Sequence, residues 1–95
     1  MAREDSKSRA YIIVSGNVCG VLYRESMKHE AEKLRIFGWV KNTSGLKVEA
    51  IIEGEKDNIL KLIEWARTGP AMAKVDNVAI DWQDYKGEFN SFIII

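Results

Sequence analysis

The sequence predicts an α+β fold in which two helices cover one face of a four-stranded antiparallel sheet. Apolar residues recur at helical spacing in two separate segments, and the segments around them run β-rich or alternate with period two. A length of 95 residues leaves room for one hydrophobic core. Taken in order, the segments read β-α-β-β-α-β, the split βαβ or ferredoxin-like arrangement.

Residues 1–9, MAREDSKSR, mix charges of both signs without an apolar run and are expected to form a solvated tail, leaving 10–95 as the domain. Tyr11-Ile12-Ile13-Val14 is the first β-rich run, ended by Ser15 and Gly16. Tyr23, Met27, Ala31 and Leu34 repeat at helical spacing between Tyr23 and Arg35, while Lys28, Glu30, Glu32 and Lys33 take other faces, which predicts an amphipathic helix. Residues 37–41 predict the second strand. Leu46, Val48, Ala50 and Ile52 then alternate with Lys47, Glu49, Ile51 and Glu53, as in a strand with one buried face. The polar link Asn42-Thr43-Ser44-Gly45 makes a hairpin of these two strands. Helical spacing returns over residues 55–68 through Ile59, Leu62, Ile63 and Ala66. It stops at Gly69-Pro70, a glycine cap followed by a residue that cannot continue a helix. Val78, Ile80 and Trp82 alternate with Ala79 and Asp81 as the fourth strand, and residues 92–95 read as a short closing strand. Trp39, Trp65 and Trp82 fall inside these patterns and are expected to pack in the core.

Fourteen basic residues face fourteen acidic ones, with no Lys/Arg run longer than a pair, so no field favours a polyanion. The stretch LKVEAIIE carries no aromatic platform for stacking bases, and no nucleic-acid partner is expected. Cys19 is the single cysteine, which rules out an intramolecular disulfide or a Cys-based zinc site and suits a reducing, cytoplasmic setting. The longest aliphatic runs, residues 12–14 and 93–95, are far too short to cross a bilayer, so no membrane partner is expected. His29 stands among Lys28, Glu30 and Glu32 with no second ligand beside it and is assigned no metal or catalytic role.

Residues 16–24, GNVCGVLYR, raise a local conflict. The first N–H groups of a helix lack intrahelical partners and, with the helix dipole, already present positive charge where Arg24 adds more. Lys28, on the same face, repels it further. Gly16 and Gly20 bracket a loop that can curl its N–H groups into an anion-holding nest, to which Arg24 would add bidentate donors. Spacing alone leaves a plainer reading open, in which the glycines serve the strand-to-helix turn and Arg24 is solvated. No Gly-Lys-Ser/Thr follows, so the stretch is not a P-loop.

GNVCGVLYR resembles the acylphosphatase signature GxVQGVx(F/Y)R, and GWVKN at 38–42 resembles that family's second signature. The resemblance continues through VEA at 48–50, EG at 53–54, IEWARTGP at 63–70 and AKVDNV at 73–78, so it covers about residues 10–95 with unbroken spacing. It implies hydrolysis of acyl phosphates, the mixed anhydrides of a carboxylic acid and phosphate, with inorganic phosphate as product. It further implies no metal and no cofactor, and a monomer is expected. By the same resemblance, the phosphoryl group would be bound by the loop residues Gly16, Val18, Cys19, Gly20, Val21, Leu22, Tyr23 and Arg24. The donors would be backbone N–H groups and the Arg24 guanidinium. Asn42 would position the attacking water.

Two positions depart from the family pattern. Cys19 stands where the family usually has Gln, as either a reactive thiol beside Arg24 or a small buried hydrophobe. Gly45 comes one place early and Leu46 takes the place of the family's turn glycine, so an altered turn that re-aims Asn42 is expected. The alternative to an enzyme is a non-catalytic ferredoxin-like module that binds an anion or small ligand.

Overall fold

The computed structural model describes residues 6–95. Seven elements follow in order: β1 (Lys7–Asn17), α1 (Tyr23–Lys33), β2 (Phe37–Asn42), β3 (Val48–Glu55), α2 (Lys56–Ala66), β4 (Lys74–Gln83) and β5 (Phe92–Ile94). The helical spacing read in the sequence is the spacing that is buried: Tyr23, Met27 and Ala31 on α1, and Ile59, Leu62, Ile63 and Ala66 on α2. Beneath them lie Ala10, Ile12 and Val14 of β1, with Val48, Ala50 and Ile52 of β3, all fully buried. Two helices therefore cover one face of a sheet, as expected.

The strand order is β4-β1-β3-β2-β5. The closing strand is present, but it runs parallel to β2, so the sheet is mixed rather than wholly antiparallel. The register explains the direction. Gln83, Arg9, Glu53 and Phe37 form one row across β4, β1, β3 and β2, so β4 ends at the end of the sheet where β2 begins. A strand that re-enters from that end beside β2 must run the same way as β2. Phe92 closes the core there at 2% exposure, whereas Ile93 and Ile95 stay exposed at the edge.

The expected tail is corrected in part. Residues 1–5 lie outside the described residues, but Lys7, Ser8 and Arg9 belong to β1 and pair with Glu55, Gly54 and Glu53. Arg9 is buried because Glu53 receives its guanidinium at 3.1 Å and Gln83 accepts from its Nε at 2.9 Å. Trp82 is corrected too. It pairs with Ala10 and so shares the helix-covered face, but β4 is an edge strand and Trp82 remains 44% exposed, with the Lys56 ammonium 5.2 Å from its ring centroid. Trp39 and Trp65 are half-buried, and Trp65 packs its ring 5.3 Å from that of Tyr23.

Candidate active site

Strand register brings the two signature segments together. Val14 pairs with Val48, and Val48 pairs with Asn42, so one row across β1, β3 and β2 ends on Asn42. Two inter-strand spacings separate Asn42 from Val14, roughly 10 Å. The loop to α1 leaves β1 just beyond Val14. Paired residues share a face, and Val14 and Val48 are buried under the helices, so Asn42 lies on the helix-covered side, at the exposed end of its strand.

The loop itself is built by its backbone. A bulge interrupts β1–β4 pairing between Ser15 and Gly16. Gly16 has φ 130, and a Cβ there would lie 2.2 Å from the Lys74 carbonyl oxygen, so this glycine serves the close approach of β4. Val18, 1% exposed, pins the loop into the core. Gly20 (φ 74) and Leu22 (φ 64) then adopt left-handed conformations, and Leu22 caps α1 without a side-chain hydrogen bond. The first bond of the helix runs from the Ser26 N–H to the Leu22 carbonyl at 3.0 Å. Among the described residues, none accepts a hydrogen bond from the backbone N–H groups of residues 19–22. The half-buried Arg24 guanidinium likewise has no ion pair or hydrogen bond among the described residues.

Side chains of the expected binding set divide into two groups. Tyr23 is 1% exposed and donates its hydroxyl to the Ala66 carbonyl at 2.7 Å, so its ring faces the core and only its backbone N–H can serve the loop. Burial pushes its pKa well above the ordinary tyrosine range. Cys19 is half-buried and donates its thiol to the Lys47 carbonyl at 3.9 Å, which sets the loop against the β2–β3 hairpin.

The hairpin corrects the expectation drawn from its glycine. The left-handed residue is Leu46, at φ 63, and not Gly45. Thr43 organises the turn: its N–H donates to the Lys47 carbonyl at 2.7 Å, and its Oγ1 accepts from Gly45 and Lys47 at 3.2 and 3.3 Å. The early glycine therefore does not displace the positive-φ position. Within the polar link Asn42-Thr43-Ser44-Gly45, Thr43 is thus the residue that holds the turn, as expected of a Thr hydroxyl bonded to nearby backbone. No group of three or more His, Cys, Asp or Glu among the described residues could hold a metal ion. A cavity of about 320 Å³ around Arg35, Phe37 and Tyr85 lies at the opposite end of the sheet.

Such an arrangement, with free N–H donors, a cation and an amide at one end of a sheet, can hold a tetrahedral oxyanion and a water beside it. The family model for acylphosphatase matches residues 10–94. An acylphosphatase of Pyrobaculum calidifontis is 52% identical over 92% of this chain and 80% of its own length. The structure of an acylphosphatase from Coxiella burnetii superposes with a TM-score of 0.92 at 37% identity, covering 100% of this chain and 99% of that one. That from Bacillus subtilis superposes at 0.89 and 30% identity, covering 93% and 98%. The chain belongs to the acylphosphatase family.

Proposed function

We propose that this chain hydrolyses acyl phosphates to a carboxylate and inorganic phosphate in the cradle between the 18–22 loop and Asn42. The observation that carries the reading is the set of unpartnered backbone donors at the start of α1, with Arg24 beside them and Asn42 at the same end of the sheet, two strands from β1. Backbone N–H groups of residues 18–24 and the Arg24 guanidinium bind the phosphoryl oxygens and match the negative charge that spreads over them in the transition state. Asn42 orients the water. The water oxygen bonds to phosphorus as the bond from phosphorus to the acyl oxygen breaks, and that electron pair leaves on the carboxylate. Its conjugate acid has a pKa of roughly 4, so no protein group has to protonate it. The proton released by water passes to a phosphate oxygen, and the chemistry needs neither metal nor cofactor.

The lone cysteine suits a reducing compartment, and we place the protein in the cytoplasm as a monomer. No described helix is long and apolar enough to cross a membrane.

Benzoyl phosphate hydrolysis by the intact chain and by two variants tests the site. Arg24→Ala is expected to raise KM and lower kcat together, because the guanidinium binds the phosphoryl group in the ground state and more strongly still as charge spreads over its oxygens in the transition state. Asn42→Ala is expected to lower kcat roughly 100-fold or more with little change in KM. Turnover indifferent to both substitutions would place the site elsewhere.

A further inference from the structure

An open groove of about 300 Å³ runs between the outer faces of α1 and α2, and Leu22 begins it. Leu22, Trp65 and Pro70 give it apolar walls, Ser26 and His29 lie between them, and Glu25 adds negative charge, while the Glu30 carboxylate is paired with Lys33 at 3.1 Å. From Leu22 to Glu30 the helix advances about 12 Å, enough for an aromatic or branched acyl group. The wall on α2 is held in place, since Trp65 packs on Tyr23 and Tyr23 is tied to the Ala66 carbonyl. Leu22 is unusual in two ways at once. It is a non-glycine residue at φ 64, and it leaves its side chain 69% exposed. Both conditions are unfavourable in the free protein, and an apolar group laid against Leu22 would relieve the second.

We propose that this groove seats the acyl group of the substrate and selects neutral, apolar acyl groups over small or anionic ones. The proposal rests on the cradle reading above. The loop touches the hairpin that carries Asn42 at its Cys19 end and lines the groove at its Leu22 end, so water and acyl group approach from opposite ends of the loop. Phosphoryl transfer requires that opposition, because the attacking and leaving oxygens lie roughly in line. The Glu25 carboxylate, which has no ion pair among the described residues, disfavours an acyl chain that ends in a second carboxylate.

The test compares kcat/KM for benzoyl phosphate and acetyl phosphate. A φ of 64 suits glycine, so Leu22→Gly removes the side chain while the loop backbone keeps its course. The benzoyl-to-acetyl ratio is expected to fall roughly tenfold in this variant, mostly through KM. Ser26→Phe, which fills the groove, should lower the ratio in the same direction, and Leu22→Gly decides alone if the bulkier variant does not fold. A ratio unchanged in Leu22→Gly, including an equal loss on both substrates, overturns the proposal. Arg24→Ala should depress both substrates alike. If it does not, the cradle reading fails, while the Leu22→Gly ratio still reports whether the acyl group lies against Leu22.

Discussion

Leu46 carries the cost of a turn that glycine would make more easily. A left-handed L-residue is strained by roughly 1–2 kcal/mol, while glycine loses more chain entropy on folding, about 0.5–1 kcal/mol. The side chain at 72% exposure packs on little, so nothing else is lost on its removal. Leu46→Gly is therefore expected to raise stability by about 0.5–1 kcal/mol, read as a higher urea midpoint with an unchanged slope. A lower midpoint would mean that the side chain is held by contacts outweighing the strain. Cys19 shows the opposite economy. It gives up an amide where the family usually has Gln, yet its thiol still reaches the hairpin at Lys47, so the loop keeps its bearing against β2–β3.

Strand β3 departs from simple alternation, and at Glu53 the connection from β4 to β5 is the reason. Glu53 reads as a solvent-facing residue, but it is 2% exposed and Ile51 is 6% exposed. Residues 86–88 cross this end of the strand and donate three backbone N–H groups to the Glu53 carboxylate at 2.9, 3.3 and 3.3 Å, and Arg9 adds its guanidinium. Burial alone would lower the Arg9 pKa, but hydrogen bonds and charge from Glu88 and Glu53 hold it above its ordinary value. Glu53→Ala would leave Glu88 as the remaining carboxylate on the buried Arg9 and three backbone donors without their acceptor, and is expected to cost about 2–3 kcal/mol. Glu88 also pairs with Arg9, but its side chain is 47% exposed, so Glu88→Gln should cost less than about 1 kcal/mol. Urea melts of the two variants check the contrast, and equal losses would contradict it.

Across the whole molecule, stability should fall in alkali before it falls near neutrality. Tyr11 is kept protonated first by its hydrogen bond to Glu49 and then by burial, and Tyr23 by burial, so both folded pKa values lie above the ordinary one. A raised folded pKa gives stability that is complete below the unfolded value of about 10 and is lost as pH rises through the folded one. Urea midpoints are expected to hold up to about pH 9.5 and then decline, more shallowly in Tyr23→Phe. A decline equally steep in that variant would assign it to other groups. Much of this architecture was legible in the chain: Tyr23, Met27 and Ala31 named the buried face of α1, and Gly69-Pro70 marked where α2 stops. What escaped depends on partners distant in sequence. Arg9 reads as tail until Glu53 neutralises it, and the direction of β5 follows from where the sheet ends. The site divides the same way, since a continuous motif spelled out the loop, whereas the groove joins residues 22–30 to 65–70 and no local pattern announces it. The loop borders the Asn42 hairpin at Cys19 and the groove at Leu22, and this separation has an evolutionary consequence. With the acyl group seated as proposed, substitutions at Trp65 and Pro70 can retune which substrates are accepted while the cradle loop and Asn42 are inherited intact.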